Sequence, residues 1–149
     1  MPSHRVYLDV CALSRLFDDQ MQARVRLETE AVKLILSHIR AHDLKLIVSP
    51  AHRVEIAAIK NIEERESLQR ILVEVGTRPT YDMIVARQRA EEFVQSKIGP
   101  TDAAHLAFAD QIKADFVSVD DRFLKRANRL QLSIWIGTPV QLCEKENLR

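Results

Sequence analysis

Three glycines and five prolines in 149 residues are too few for the many tight turns of a β-sandwich or barrel. Aromatic residues make up only 5% of the chain, which excludes the stacking platform with which RNA-recognition-motif domains hold bases. Two cysteines, Cys11 and Cys143, cannot build a disulfide framework and are expected as reduced thiols of a cytoplasmic protein. Neither sign of charge dominates: 22 Lys and Arg face 21 Asp and Glu, so any site for a polyanion has to be a local patch. No run approaches the ~18 apolar residues of a membrane span, and the opening MPSHRVYLDV shows no secretory signal, so no membrane association is expected. What the chain does have is 46% apolar residues, enough to offset the entropy of ordering one domain spanning 1–149.

The apolar residues repeat in an alternating order. Residues 5–9, 44–48, 115–119 and 132–136 are short, apolar on both faces and rich in β-branched or aromatic side chains, and they read as strands. Helical spacing runs over 21–41, 50–60, 62–75, 81–97, 102–113 and 121–130. Ser49-Pro50 supplies a cap and a first-turn proline, Gly76 is expected to end a helix with positive φ, and Thr101 is expected to cap the helix that follows it. Thr138-Pro139-Val140-Gln141 is a capping box, so a short helix closes the sequence. Strands that are apolar on both faces and alternate with helices predict an α/β fold: a parallel central sheet of four to five strands flanked by helices on both faces.

In such sheets ligands bind beyond the carboxyl ends of the strands. Asp9 ends the first strand, Glu55 lies about one and a half turns into the helix after the second, Asp102 opens a helix, and Asp120 follows the strand DFVSV. Four segments far apart in sequence can thus deliver acids to one rim. Packed like charges raise one another's pKa unless a cation compensates them. Mg²⁺ or Mn²⁺ takes oxygen ligands, keeps several waters, and supports water attack on a phosphodiester. Position alone leaves a second reading open, because acids after strands and at helix starts are also common caps.

These residues carry a resemblance. VYLDVCALSRLFDD, SPAHRVEIAAI and GPTDAAHLAFADQIKADFVSVDDRFLKRA, with the closing strand and helix, resemble the PIN-domain nucleases from Val6 to about Val140. The resemblance implies a metal-dependent endoribonuclease cleaving single-stranded or structured RNA. It is most often the VapC-like toxin of a type II toxin–antitoxin pair, with an antitoxin partner and a homodimeric state. The family's acids fall on Asp9, Glu55, Asp102 and Asp120, and its small hydroxyl on Ser118. His105, three residues after Asp102, falls beside the site. The departure is Cys11, where the family often has Asn, Ser or Thr; a thiol is a weaker donor. The run DVCALSRLFDDQ also resembles a subgroup of the family in which Cys is tolerated after the first Asp.

Several residues admit other readings. Cys11 is a packed thiol or, paired with a histidine, a nucleophile. Cys143 on the last helix reads as core or partly exposed. His38 and His42 stand four apart on one helix face without the Glu of a zinc metalloprotease motif. His52 and His105 can each share a face with an acid, which leaves a zinc hydrolase open. Arg122, Lys125, Arg126 and Arg129 follow helical spacing after Asp120 and are either a solvated face or a guide for an RNA backbone, with Arg15, Arg24 and Arg53 as further candidates. Residues 13–27 mix Leu16, Phe17 and Met21 with charges and read as a flap or as a surface for a partner. Two other functions remain: a catalytically silent PIN-fold RNA-binding or scaffold protein, and a receiver-like signalling module, which lacks its late lysine here.

Overall fold

Alternation along the first strand decides the layering. In β1 (His4–Leu8), Val6 and Leu8 project to one side and Tyr7 to the other, and none of the three has any exposed surface. The same split recurs in β2 (Leu44–Ile47), with Leu44 and Leu46 on the side of Val6 and Ile47 on the side of Tyr7. In β4 (Asp115–Val117) it separates Val117 from Phe116. Two hydrophobic clusters result, one on each face of the sheet. Fully burying each large apolar side chain stabilises the fold by ~1.5–3 kcal/mol.

The protein's structure is a computed structural model describing residues 4–149. Two short strands, β3 (Gly76–Thr77) and β5 (Ile136–Gly137), complete a five-stranded sheet in the order β3-β2-β1-β4-β5, with every neighbouring pair parallel. Val6 of β1 sits opposite Leu46 on one side and Asp115 on the other. The helices are α1 (Val10–Ser14), α2 (Ala23–Arg40), α3 (Pro50–Ala57), α4 (Ile62–Val75), α5 (Met83–Gln95), α6 (Pro100–Ile112), α7 (Asp121–Asn128) and α8 (Pro139–Lys145). Residues of α1, α2, α4 and α8 fill the cluster on the Val6 face, and those of α5, α6 and α7 the cluster on the Tyr7 face. None of the described helices is long and apolar enough to cross a membrane.

The expected α/β architecture is therefore the one observed, with local corrections. α6 starts at Pro100 with Gly99 at its N-cap, so Thr101 lies inside the helix and does not cap it. Gly76 ends α4 at φ −80°, not at positive φ. Its glycine is required by close approach, since a Cβ there would lie 2.3 Å from the Leu72 carbonyl oxygen and 2.5 Å from Val48 Cγ2. The last strand is Ile136–Gly137, shifted from 132–136 because Gln131 turns the chain at φ 53° and only the end of the apolar run reaches β4. His42 also has positive φ, beyond the end of α2, so it and His38 do not share a helix face. His38 instead meets Asp43 Oδ2 at 2.8 Å. The expected cap and capping box at Ser49 and Thr138 are both present.

The stretch 13–27 is folded. Leu13 is fully buried in α1, and a 3-10 turn covers Arg15–Phe17. The Thr29 hydroxyl donates to the Arg15 carbonyl at 2.8 Å, fastening that turn to α2. Phe17, Met21 and Leu27 stay exposed on its outer side.

Candidate active site

β1 and β4 lie side by side, but the chain leaves β1 toward β2 and returns to β4 from the other half. Their carboxyl ends thus flank the point where strand order reverses, where α/β sheets bind ligands. Asp9 leaves β1 as the N-cap of α1, its Oδ1 accepting from the Ala12 N–H at 3.0 Å. It is 3% exposed. Burial pushes its carboxyl up, and hydrogen bonds from Cys11, Ser118 and Ala12 pull it back.

Cys11 supplies one of those bonds: its thiol lies 3.0 Å from Asp9 Oδ1 and 3.4 Å from the Ser118 hydroxyl. Burial first, and then the Asp9 charge, push this thiol well above its ordinary pKa. It is a protonated donor, which argues against a nucleophilic role. Ser118 is fully buried at the end of β4, where its Oγ accepts from the Asp120 N–H at 3.1 Å. Asp120, exposed, caps α7 by accepting from the Phe123 N–H at 3.1 Å.

Asp102 lies in the first turn of α6, where the helix dipole favours the charged form. Its carboxyl nonetheless rises to about 6, mainly through burial and then through the charges of Asp9, Asp120 and Glu55; only His105 opposes them. Asp102 therefore feels the charges of three acids carried by three other segments. Among the described residues no three of them bring oxygens within 4.8 Å of one another, so a shared ion would need a bridging water or a side-chain rotation.

Glu55 stands on α3 with about a third of its side chain exposed, and its Oε1 meets His105 Nε2 at 2.7 Å. His105 is 1% exposed, and its Nδ1 meets the Tyr7 hydroxyl at 2.5 Å. Tyr7 in turn lies 2.7 Å from the Ser49 hydroxyl. His52 does not face Glu55. Its Nδ1 accepts from the Ser49 N–H at 3.1 Å and its Nε2 donates to the Leu8 carbonyl at 2.7 Å. Burial and the neighbouring His105 lower its pKa to about 3, so the ring is neutral. With both nitrogens committed to the backbone it has none left for zinc. The sequence marks His52 as a possible zinc ligand, but it does not mark Tyr7 or Ser49 as site residues. The Ser-Pro cap and the inward position of Tyr7 were the available signals.

The basic residues divide. Arg122, Lys125 and Arg129 are exposed at α7, while Arg126 donates to the Lys97 carbonyl at 2.8 Å. Arg15 is tied to Glu28 at 3.0 Å and Asp18 at 2.8 Å. Arg24 holds Asp121 at 2.7 and 2.8 Å and the Val119 carbonyl at 3.0 Å. Arg53 is exposed on α3. Cys143 is half-buried against the core, its thiol 3.6 Å from the Ala31 carbonyl.

Three ligand atoms within 4.8 Å of one another do occur at the opposite, amino end of the sheet, on His4, Asp115 and Glu146. The Lys145 ammonium already sits 2.7 Å from Asp115 Oδ2 and 2.7 Å from Glu146 Oε2, so a side chain supplies the cation there. Beside Glu55 an apolar groove of about 570 Å³ runs along Val54, Met83, Ala104 and Phe108.

No protein-family model and no curated protein matches the sequence. Among solved structures, a chain of the crystal structure of FitAcB from Neisseria gonorrhoeae superposes with a TM-score of 0.52, covering 91% of this chain and 98% of that one. The two are 16% identical, so the likeness carries the fold, which is PIN-like, and not the chemistry.

Proposed function

We propose that this chain is a metal-dependent endoribonuclease that takes Mg²⁺ or Mn²⁺ among Asp9, Glu55, Asp102 and Asp120 and hydrolyses RNA phosphodiesters. The observation that carries the reading is the Asp102 carboxyl. It is held near pH 6 by burial and by three other acids, in a set of hard oxygen donors that suits a small dication. A dication bound there supplies the positive charge that keeps the acids ionised, activates water and offsets charge building on the phosphate. The chain's own residues do the rest. Ser118 and Cys11 hold the Asp9 carboxylate by hydrogen bonds, and the N-cap of α7 fixes Asp120. Arg122, Lys125 and Arg129 offer exposed positive charge next to Asp120 for the phosphate backbone.

The same reading makes the chain the toxin of a toxin–antitoxin pair and a homodimer. In it, the exposed Phe17, Met21 and Leu27 beside the rim receive the antitoxin. The test is cleavage of a single-stranded RNA by the full chain in Mn²⁺, with EDTA and Asp102→Asn as comparisons. Cleavage that needs Mn²⁺ and is lost in Asp102→Asn supports the proposal; equal cleavage by both proteins overturns it. Calorimetric titration separates the silent alternative, which predicts no heat of binding at millimolar Mn²⁺.

A further inference from the structure

From the N-cap of α3 to the rim, polar groups form an unbroken line on the Tyr7 face of the sheet. The Ser49 hydroxyl oxygen accepts from the Ala51 N–H at 3.2 Å. Ser49 Oγ is 2.7 Å from Tyr7 Oη, Tyr7 Oη is 2.5 Å from His105 Nδ1, and His105 Nε2 is 2.7 Å from Glu55 Oε1. The line crosses from the β2–α3 junction to β1, then to α6, and returns to α3 at Glu55, six residues after Ser49: Ser49 and Glu55 belong to one helix and its cap, while the two groups between them do not. Ser49, Tyr7 and His105 are 3%, 0% and 1% exposed, so water cannot replace a missing partner.

The backbone fixes the direction in which the hydrogens point. The Ala51 N–H can only donate to Ser49 Oγ, so among the described residues Tyr7 Oη is the one acceptor that the buried serine hydrogen meets, and the serine donates to it. The Tyr7 hydrogen then donates to His105 Nδ1, and the ring carries its hydrogen on Nε2, facing Glu55. No buried side-chain nitrogen or oxygen among the described residues lacks a hydrogen-bond partner.

We propose that Ser49, Tyr7 and His105 are positioning residues that hold the Glu55 carboxylate at the rim by imposing the Nε2–H tautomer on His105. Their effect on an ion rests on the metal-dependent reading above; the tautomer does not. Glu55 is partly exposed and stands on a helix surface, so without the imidazole its carboxylate would turn freely among rotamers. Histidines next to metal-binding carboxylates tune affinity through such outer contacts.

Long-range ¹H–¹⁵N correlation spectra of the ¹⁵N-labelled full chain at pH 7.5 test this, with His105→Gln identifying the ring signals. The expected result is a single Nε2–H tautomer that Tyr7→Phe converts to a mixture. In Tyr7→Phe, calorimetry should find Mn²⁺ affinity weakened on the order of tenfold, the lower end of the range for outer contacts of metal ligands. Tyr81→Phe is the comparison: it removes another half-buried hydroxyl, which donates to the Val48 carbonyl outside the line. It should leave both the tautomer and the affinity unchanged. His105 in any other state, or a tautomer that survives Tyr7→Phe, overturns the proposal, as does a tautomer equally disturbed by Tyr81→Phe. A chain that binds no Mn²⁺ refutes the metal reading and leaves the spectra to decide the line.

Discussion

The Asp102 carboxyl has two opposing influences, a helix N-terminus that favours its charge and a set of neighbouring acids that opposes it, and the acids win together with burial. The consequence for stability has a definite sign. An unfolded aspartate titrates near ~3.9, whereas this one keeps its proton to about 6. Between those values the unfolded chain releases a proton that the folded chain retains, so the metal-free protein loses stability as pH rises from ~4 to ~6. Scanning calorimetry should find Asp102→Asn more stable than the wild type at pH 7.5 without metal, and the two alike at pH 4. His52 acts in the opposite direction. Held neutral down to about pH 3, it contributes stability that is complete above ~6.5 and is lost as pH falls below that value. Because His52 is common to both proteins, their difference isolates the acid. At Cys11 the donor matters more than the sulfur. Cys11→Ser should keep the Asp9 contact, while Cys11→Val should cost about 1 kcal/mol, the net worth of one hydrogen bond, in urea unfolding.

At the level of elements, what could be read in advance was whatever a periodic pattern announces. All of the longer helices came from spacing, and Ser49-Pro50 and Thr138–Gln141 marked their caps. Two-residue strands have no period, which hid β3, and α1 was hidden because its five residues are too few to show a helical face. The acids at the rim were legible because strand ends announce them. The Tyr7–His105 and Tyr7–Ser49 bonds span 98 and 42 residues and have no local signature. Nor does the pairing of Arg15 with buried Glu28, which Arg24 joins from four residues away on the same helix. That pairing predicts that Arg15→Met destabilises by about 1.5–3 kcal/mol, the worth of charged hydrogen bonds, softened by Arg24 remaining in place. Gly76 makes a sharper prediction. Its φ suits any residue, yet Gly76→Ala should cost about 1–3 kcal/mol in urea unfolding, because the added methyl meets the Leu72 carbonyl and Val48.

For the whole molecule, a ligand that binds the native state alone raises stability by mass action, about 2.7 kcal/mol at a hundredfold excess over its Kd. Mn²⁺ should therefore raise the melting temperature of the wild type, EDTA should return it, and Asp102→Asn should respond far less. The protection should also fade as pH drops below about 6, where protons compete for Asp102. The strand order adds something that no equilibrium measurement reports. β1 is the middle strand, yet its neighbour β4 begins only at Asp115, and Asp102 and Asp120 belong to the same late stretch of chain. During translation, one edge of β1 must wait, unpaired, while more than a hundred further residues are made. An unfinished polypeptide on the ribosome has no fourth strand and lacks half of the rim acids. Whatever those carboxylates do is withheld from every product that stops short of Asp120, and a chain cut short within α5 exposes a sticky edge without acquiring their chemistry.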